Sequence, residues 1–197
     1  MRTALLACLI VAVTACGTTV APATLVSPGA SQGPASAPRI SPPPVTPPVA
    51  PGDTLPAFAC ADAGGGATGV ANVVTARMAE QQGYDRFVLQ FDSPVPTYTV
   101  KRQATPVFPL GPSGQSITLS GTAGALVRVH SATGANTFSS STDITHTEYL
   151  VLREARQTED FEGYVSWGLG LTKQACLRTF TLTDPPRLVV DFTTAAS

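Results

Sequence analysis

Phe87-Val88-Leu89-Gln90-Phe91-Asp92 decides the fold class. Phe87, Leu89 and Phe91 occupy every second position, opposite Val88, Gln90 and Asp92. An extended chain with that period has one apolar face and one mixed face. Just upstream, Gln81-Gln82-Gly83-Tyr84-Asp85 reads as a turn, and residues 70–78 before it form a β-branched run. Downstream, strands are expected at Tyr98-Thr99-Val100, at Ile117-Thr118-Leu119, and over residues 125–130, 148–153, 164–171, 177–182 and 188–192. Gly, Pro and Asp turns separate them, Gly111-Pro112-Ser113-Gly114 being the plainest. No long amphipathic helix interrupts the pattern. About eight or nine short strands with such turns predict an all-β domain, an antiparallel sandwich or barrel.

The N-terminal part has a different character. Met1-Arg2-Thr3 precedes an apolar run over residues 4–13. One positive charge before a short apolar stretch is the layout of a secretory signal peptide. The run is too short for a spanning helix, which needs roughly 20 residues. It ends in Val13-Thr14-Ala15-Cys16-Gly17, which resembles the bacterial lipobox. That resemblance implies cleavage before Cys16 and a diacylglyceryl group with palmitate-type chains on its sulfur. Two chains anchor a protein to a membrane where one does not. From Gly17 to Pro56 the chain is rich in Ala, Pro, Ser and Thr, with runs such as Ser41-Pro42-Pro43-Pro44. Such a segment cannot supply the donors of a sheet or helix, and it is expected to act as an extended tether. The expected division is therefore a signal over 1–15, a lipidated tether over 16–56 and one β domain over 57–197. Ala63-Gly64-Gly65-Gly66-Ala67 reads as slack inside the domain.

The net charge is −1 and only 13% of residues are charged. Lys and Arg are scattered along the chain, which argues against nucleic acid and against an electrostatic membrane patch. Cys8 would leave with the signal and Cys16 would take the lipid. Cys60 and Cys176 remain as one pair outside the cytoplasm, so a disulfide is expected, with Cα atoms within about 7 Å. Two distant Cys and only two His lack the spacing of a metal site. No cofactor is expected.

Three segments carry a family resemblance. They are Gly83-Tyr84-Asp85-Arg86-Phe87-Val88, then Asp160-Phe161-Glu162-Gly163 ahead of Gly168-Leu169-Gly170-Leu171, and finally Asp184-Pro185-Pro186-Arg187-Leu188-Val189-Val190-Asp191. In this order and spacing they resemble the AMIN-like domain of actinobacterial lipoproteins and secreted proteins. The resemblance runs over residues 70–192. It implies a β-sandwich. By analogy with the AMIN domains that accompany cell-wall amidases and secretins, it also implies association with peptidoglycan or another envelope component.

Arg86, Arg187 and Asp191 flank apolar strand residues. An ion pair between Arg86 and Asp191 would pin the first and last strands in register. The sharper alternative is a ligand face of Tyr84, Arg86, Trp167 and Arg187, with rings for sugars and guanidinium forks for carboxylates. Tyr164 and Trp167 are expected on one face of a single strand. Enzyme readings are weaker. Gly163-Tyr164-Val165-Ser166-Trp167-Gly168 misses the spacing of a nucleophile elbow. A Ser139, Asp143 and His146 triad, or chemistry by Glu159, Asp160 and Glu162, has no supporting motif. The expectation is thus a non-enzymatic, lipid-anchored envelope module that binds wall polymer or an envelope protein. A small envelope hydrolase and a passive surface lipoprotein are the competing classes. A ligand site is expected on an exposed sheet face, because a small sandwich leaves its interior little room for a cavity of several hundred Å³.

Overall fold

The computed structural model describes residues 55–195. The expected signal, Cys16 and most of the Pro-rich segment lie outside them. Among the described residues the strands are β1 (Ala63–Gly65), β2 (Ala71–Gln81), β3 (Tyr84–Phe91), β4 (Tyr98–Gln103), β5 (Val107–Leu110), β6 (Gln115–Thr118), β7 (Ala123–His130), β8 (Ala132–Thr133), β9 (Asp143–Thr145), β10 (Leu152–Phe161), β11 (Tyr164–Leu171), β12 (Leu177–Thr183) and β13 (Pro186–Thr193). They form a six-stranded sheet ordered β1-β4-β7-β11-β10-β9 and a five-stranded sheet ordered β12-β13-β3-β2-β8, with β5-β6 as a separate hairpin. All pairings are antiparallel except the short β2–β8 contact, which is parallel. The architecture is an all-β sandwich.

The period-2 pattern of β3 does what its sequence dictates. Phe87, Leu89 and Phe91 point inward and are buried. They meet Leu188, Val190 and Phe192 of β13 and the inner face of the other sheet, where Val165, Trp167 and Leu169 of β11 are buried as well. Trp167 is the centre of this core, 5.5 Å from the ring of Phe87 and 5.8 Å from that of Phe138.

Three local expectations change. Ala63-Gly64-Gly65 is not slack: it is the edge strand β1, paired with Val100, Thr99 and Tyr98 of β4. The missing side chains let it lie close, since a Cβ on Gly65 would stand 2.9 Å from the Tyr98 hydroxyl. Residues 148–151 precede a strand rather than form one. β10 begins at Leu152 and continues to Phe161, so Glu159 and Asp160 belong to a strand. Asp85, read as part of a turn, is the second residue of β3 and is fully buried.

The Gly168-Leu169-Gly170-Leu171 run also finds its reason here. Leu169 and Leu171 face the core, and the glycines face outward under the β5–β6 hairpin. Phe108 of β5 is buried against this bare surface, and a Cβ on Gly168 would stand 2.8 Å from its ring. Ser120, just after the hairpin, donates its N–H and its hydroxyl to Glu154 Oε2, both at 2.8 Å.

Cys60 and Cys176 form a disulfide, with Cα atoms 4.1 Å apart, as expected from the cysteine arithmetic. It fastens the N-terminal segment beside β12. Ala59 and Leu177 exchange backbone hydrogen bonds of 2.8 and 2.9 Å. Arg102 bridges both sides of the link by donating to the carbonyls of Cys60 (2.7 Å) and Ala175 (3.1 Å).

Candidate functional site

Asp191 lies on β13 between Arg178 of β12 and Arg86 of β3, one residue on each strand of the same cross-strand row. Its carboxylate is fully buried. Arg86 donates from Nε to Oδ1 (2.7 Å) and from Nη2 to Oδ2 (3.0 Å), a bidentate fork. Arg178 donates from Nε to Oδ2 at 2.7 Å. The hydrogen bond to Asp191 pushes the Arg86 pKa above the ordinary guanidinium range, burial opposes it, and the charges of Asp191 and Tyr84 add to the rise. Two cations therefore share one anion, leaving one positive charge in surplus.

Aromatic rings pack around this pair. The Arg178 guanidinium carbon is 4.5 Å from the ring centre of Phe58 and 4.8 Å from that of Tyr84. That of Arg86 is 5.2 Å from Tyr84 and 5.5 Å from Phe180. Planar guanidinium groups stack well on rings because they are weakly hydrated and cationic. No hydrogen bond from either terminal nitrogen of Arg178 is present among the described residues. Phe58 is held over Arg178 by the Cys60–Cys176 link, two residues from each of them.

Register extends the picture across the sheet. The neighbouring row is Phe180, Val189, Val88 and Arg77, and the next is Leu182, Arg187, Gln90 and Thr75. One outward face thus carries Arg77, Arg86, Arg178 and Arg187 against a single carboxylate, Asp191. Arginines scattered in the sequence are clustered in space. Val88 and Val189 are buried on this outer face, so long side chains lie across it rather than standing away from it.

The four expected ligand residues are not brought together. Tyr84 and Arg86 are neighbours. Arg187 is four residues from Asp191 on β13, about 13 Å along the strand. It donates to the Pro185 and Asp184 carbonyls of its own turn (3.1 and 3.2 Å). Trp167 is a core residue with no exposed surface and is not a ligand platform. Tyr164 stands three positions from it on β11, an odd spacing that puts the two rings on opposite faces. Arg178, Phe58 and Phe180 were missed. The disulfide carried a usable signal, because it places residues two before Cys60 beside residues two after Cys176.

The hydrolase groupings do not assemble. Ser139 donates to the Val74 carbonyl (3.3 Å), Asp143 pairs with Arg156 (3.1 Å), and His146 contacts the exposed Glu148 (2.8 Å). Glu159 pairs with Arg128 at 3.0 Å, and Asp160 accepts from Thr133 and from the Gly134 amide, both at 2.8 Å. The interior is filled, but surface depressions of several hundred Å³ do occur. One of about 480 Å³, beside Phe138 and Asp160, is lined by neither histidine.

The AMIN-like domain family model matches residues 71–194, the span of the sandwich from β2 to the end of β13. The chain belongs to the AMIN-like domain family. No curated protein matches it. In this AMIN-like domain, the Tyr84-Asp85-Arg86 segment and Asp191 of the closing segment meet in one network. The first and last of the segments that carry the resemblance are thus joined in the fold.

Proposed function

We propose that the protein is a lipid-anchored, extracytoplasmic binding module of the cell envelope, without catalytic activity of its own. It holds an anionic wall polymer, peptidoglycan foremost, on the outer face of the five-stranded sheet. The observation that carries this reading is the arginine face: four guanidinium groups, one buried carboxylate, and rings at Phe58, Tyr84 and Phe180. A surface of one sign attracts and orients an oppositely charged polymer. Membership in the AMIN-like family supports an envelope setting, and the lipobox at Cys16 supports a membrane tether.

Full-length protein is sedimented with purified sacculi. Arg77→Glu with Arg187→Glu reverses two charges outside the buried network. Retention is expected to fall about tenfold, and to fall in the unaltered protein as salt rises. Retention indifferent to both changes would end this reading. Mass spectrometry of the mature N-terminus tests the anchor, and an unmodified Cys16 would remove that part of the proposal.

A further inference from the structure

The β5–β6 hairpin covers only part of the outer face of the six-stranded sheet. What it leaves open is a depression of about 310 Å³ lined by Thr99, Lys101, Leu126, Arg128, His130 and Tyr164. A second depression, of about 160 Å³, adjoins it and shares His130 and Tyr164. We infer that this groove is a second binding site, built for a saccharide of more than one ring that carries carboxylate groups.

The groove's dimensions and chemistry both point that way. Leu126, Arg128 and His130 sit on alternate positions of β7, so the floor runs about 13 Å along the strand. Lys101 is opposite Leu126 at one end, and Tyr164 is opposite His130 at the other. Lys101 is exposed and has no ion-pair partner among the described residues. Arg128 is balanced by Glu159 (3.0 Å), and its Nε donates to Ser166 Oγ (3.2 Å). The cation with spare capacity is therefore Lys101, placed to take an acid group, while Arg128 keeps its charge fixed in place.

Tyr164 supplies the surface for a sugar ring. It is 38% exposed, unlike the rings of the core. Its position is set on two sides. His130 packs edge-on at 4.8 Å, and the Arg128 guanidinium carbon lies 5.6 Å from its centre. A ring already fixed loses little freedom when a ligand stacks on it. The rim is fixed too. Ala132 donates to the Gly163 carbonyl at 3.0 Å and so ties the β7–β8 connection to the β10–β11 turn. Ser131 in that connection adopts a left-handed φ of 55°, a conformation that a non-glycine residue holds only when its surroundings impose it.

This site lies on a different sheet from the arginine face, so the two can fail separately. Full-length protein is titrated calorimetrically with a hyaluronan tetrasaccharide, which alternates neutral and carboxylated sugars, and with neutral chitotetraose. Hyaluronan is expected to bind at least tenfold more tightly. Tyr164→Ala and Lys101→Ala, each made in the Arg77→Glu with Arg187→Glu background so that the arginine face cannot contribute, should each weaken it by about fivefold to tenfold. Lys101→Ala changes an exposed side chain, so folding cannot account for its effect, and thermal melts check Tyr164→Ala. Absence of binding, equal binding of the two saccharides, full binding by Tyr164→Ala, or complete loss in the Arg77/Arg187 variant would each overturn the inference.

Discussion

Replacing Asp191 with Ala is expected to destabilise the domain by about 3–5 kcal/mol, the loss seen when one partner of a buried ion pair is removed. The reason is specific to the row it occupies. Among the described residues Asp191 is the one carboxylate paired with both Arg86 and Arg178, and it is fully buried. Without it, two guanidinium groups face each other across one strand, and the rings of Phe58, Tyr84 and Phe180 hold them close. Asp191→Asn keeps the shape and one acceptor but removes the charge, and it should lose more than half as much. The effect should change little with pH across the physiological range. Arg86 has a raised pKa in the folded state. Its contribution is therefore complete below the guanidinium's unfolded pKa and fades only as pH rises through the still higher folded one. Urea unfolding of the variants checks this. A loss under about 1 kcal/mol for Asp191→Ala would mean that the row adds little, as exposed ion pairs do.

Asp85→Ala should be comparably damaging, for a different reason. Asp85 points into the core from β3, beside Phe87. Its Oδ2 accepts the amide hydrogens of Val151 (2.7 Å) and Leu152 (2.9 Å), where the other sheet's β10 begins. One side chain thus joins the two sheets and satisfies two buried donors. Removing it leaves both amides unpaired in a dry interior, at about 1–3 kcal/mol each. The expected loss is about 3 kcal/mol or more. Hydrogen exchange gives the diagnostic reading, because the Val151 and Leu152 amides should lose protection beyond what the lower global stability explains. Unchanged protection at those two amides would refute the assignment.

Local periodicity made much of this fold legible. Phe87-Leu89-Phe91 and Leu188-Val190-Phe192 each declare a buried face without reference to anything distant. The two remaining cysteines made the link between the chain's beginning and β12 legible by elimination. Asp85 was not legible, because an Asp two residues after Gly has the chemistry of a turn. Only its partners, 66 and 67 positions away in sequence, give it a structural role. The arginine face was hidden for a related reason. Arg77, Arg86, Arg178 and Arg187 come from strands whose order in the sheet, β12-β13-β3-β2, is not their order in the chain. Charge scattered along a sequence says little about charge on a surface until register is known. Start points were misread where an irregularity intervenes, as at β10, whose pairing slips between Leu152 and Glu154 and again between Gln157 and Glu159.

The Cys60–Cys176 bond also determines how the molecule would respond to tension. A pull delivered through the residues ahead of Leu55 reaches Cys60 after a few positions and then crosses to Cys176 through sulfur. β1 to β11 all lie inside the closed ring, so a load that enters at Cys60 and leaves beyond Cys176 bypasses them. The load passes instead to β12, which is hydrogen-bonded along its length to β13. Between those two points only the chain outside the ring can lengthen. Such a load would leave the strands inside the ring, with Arg77 and Arg86 among their residues, unstretched.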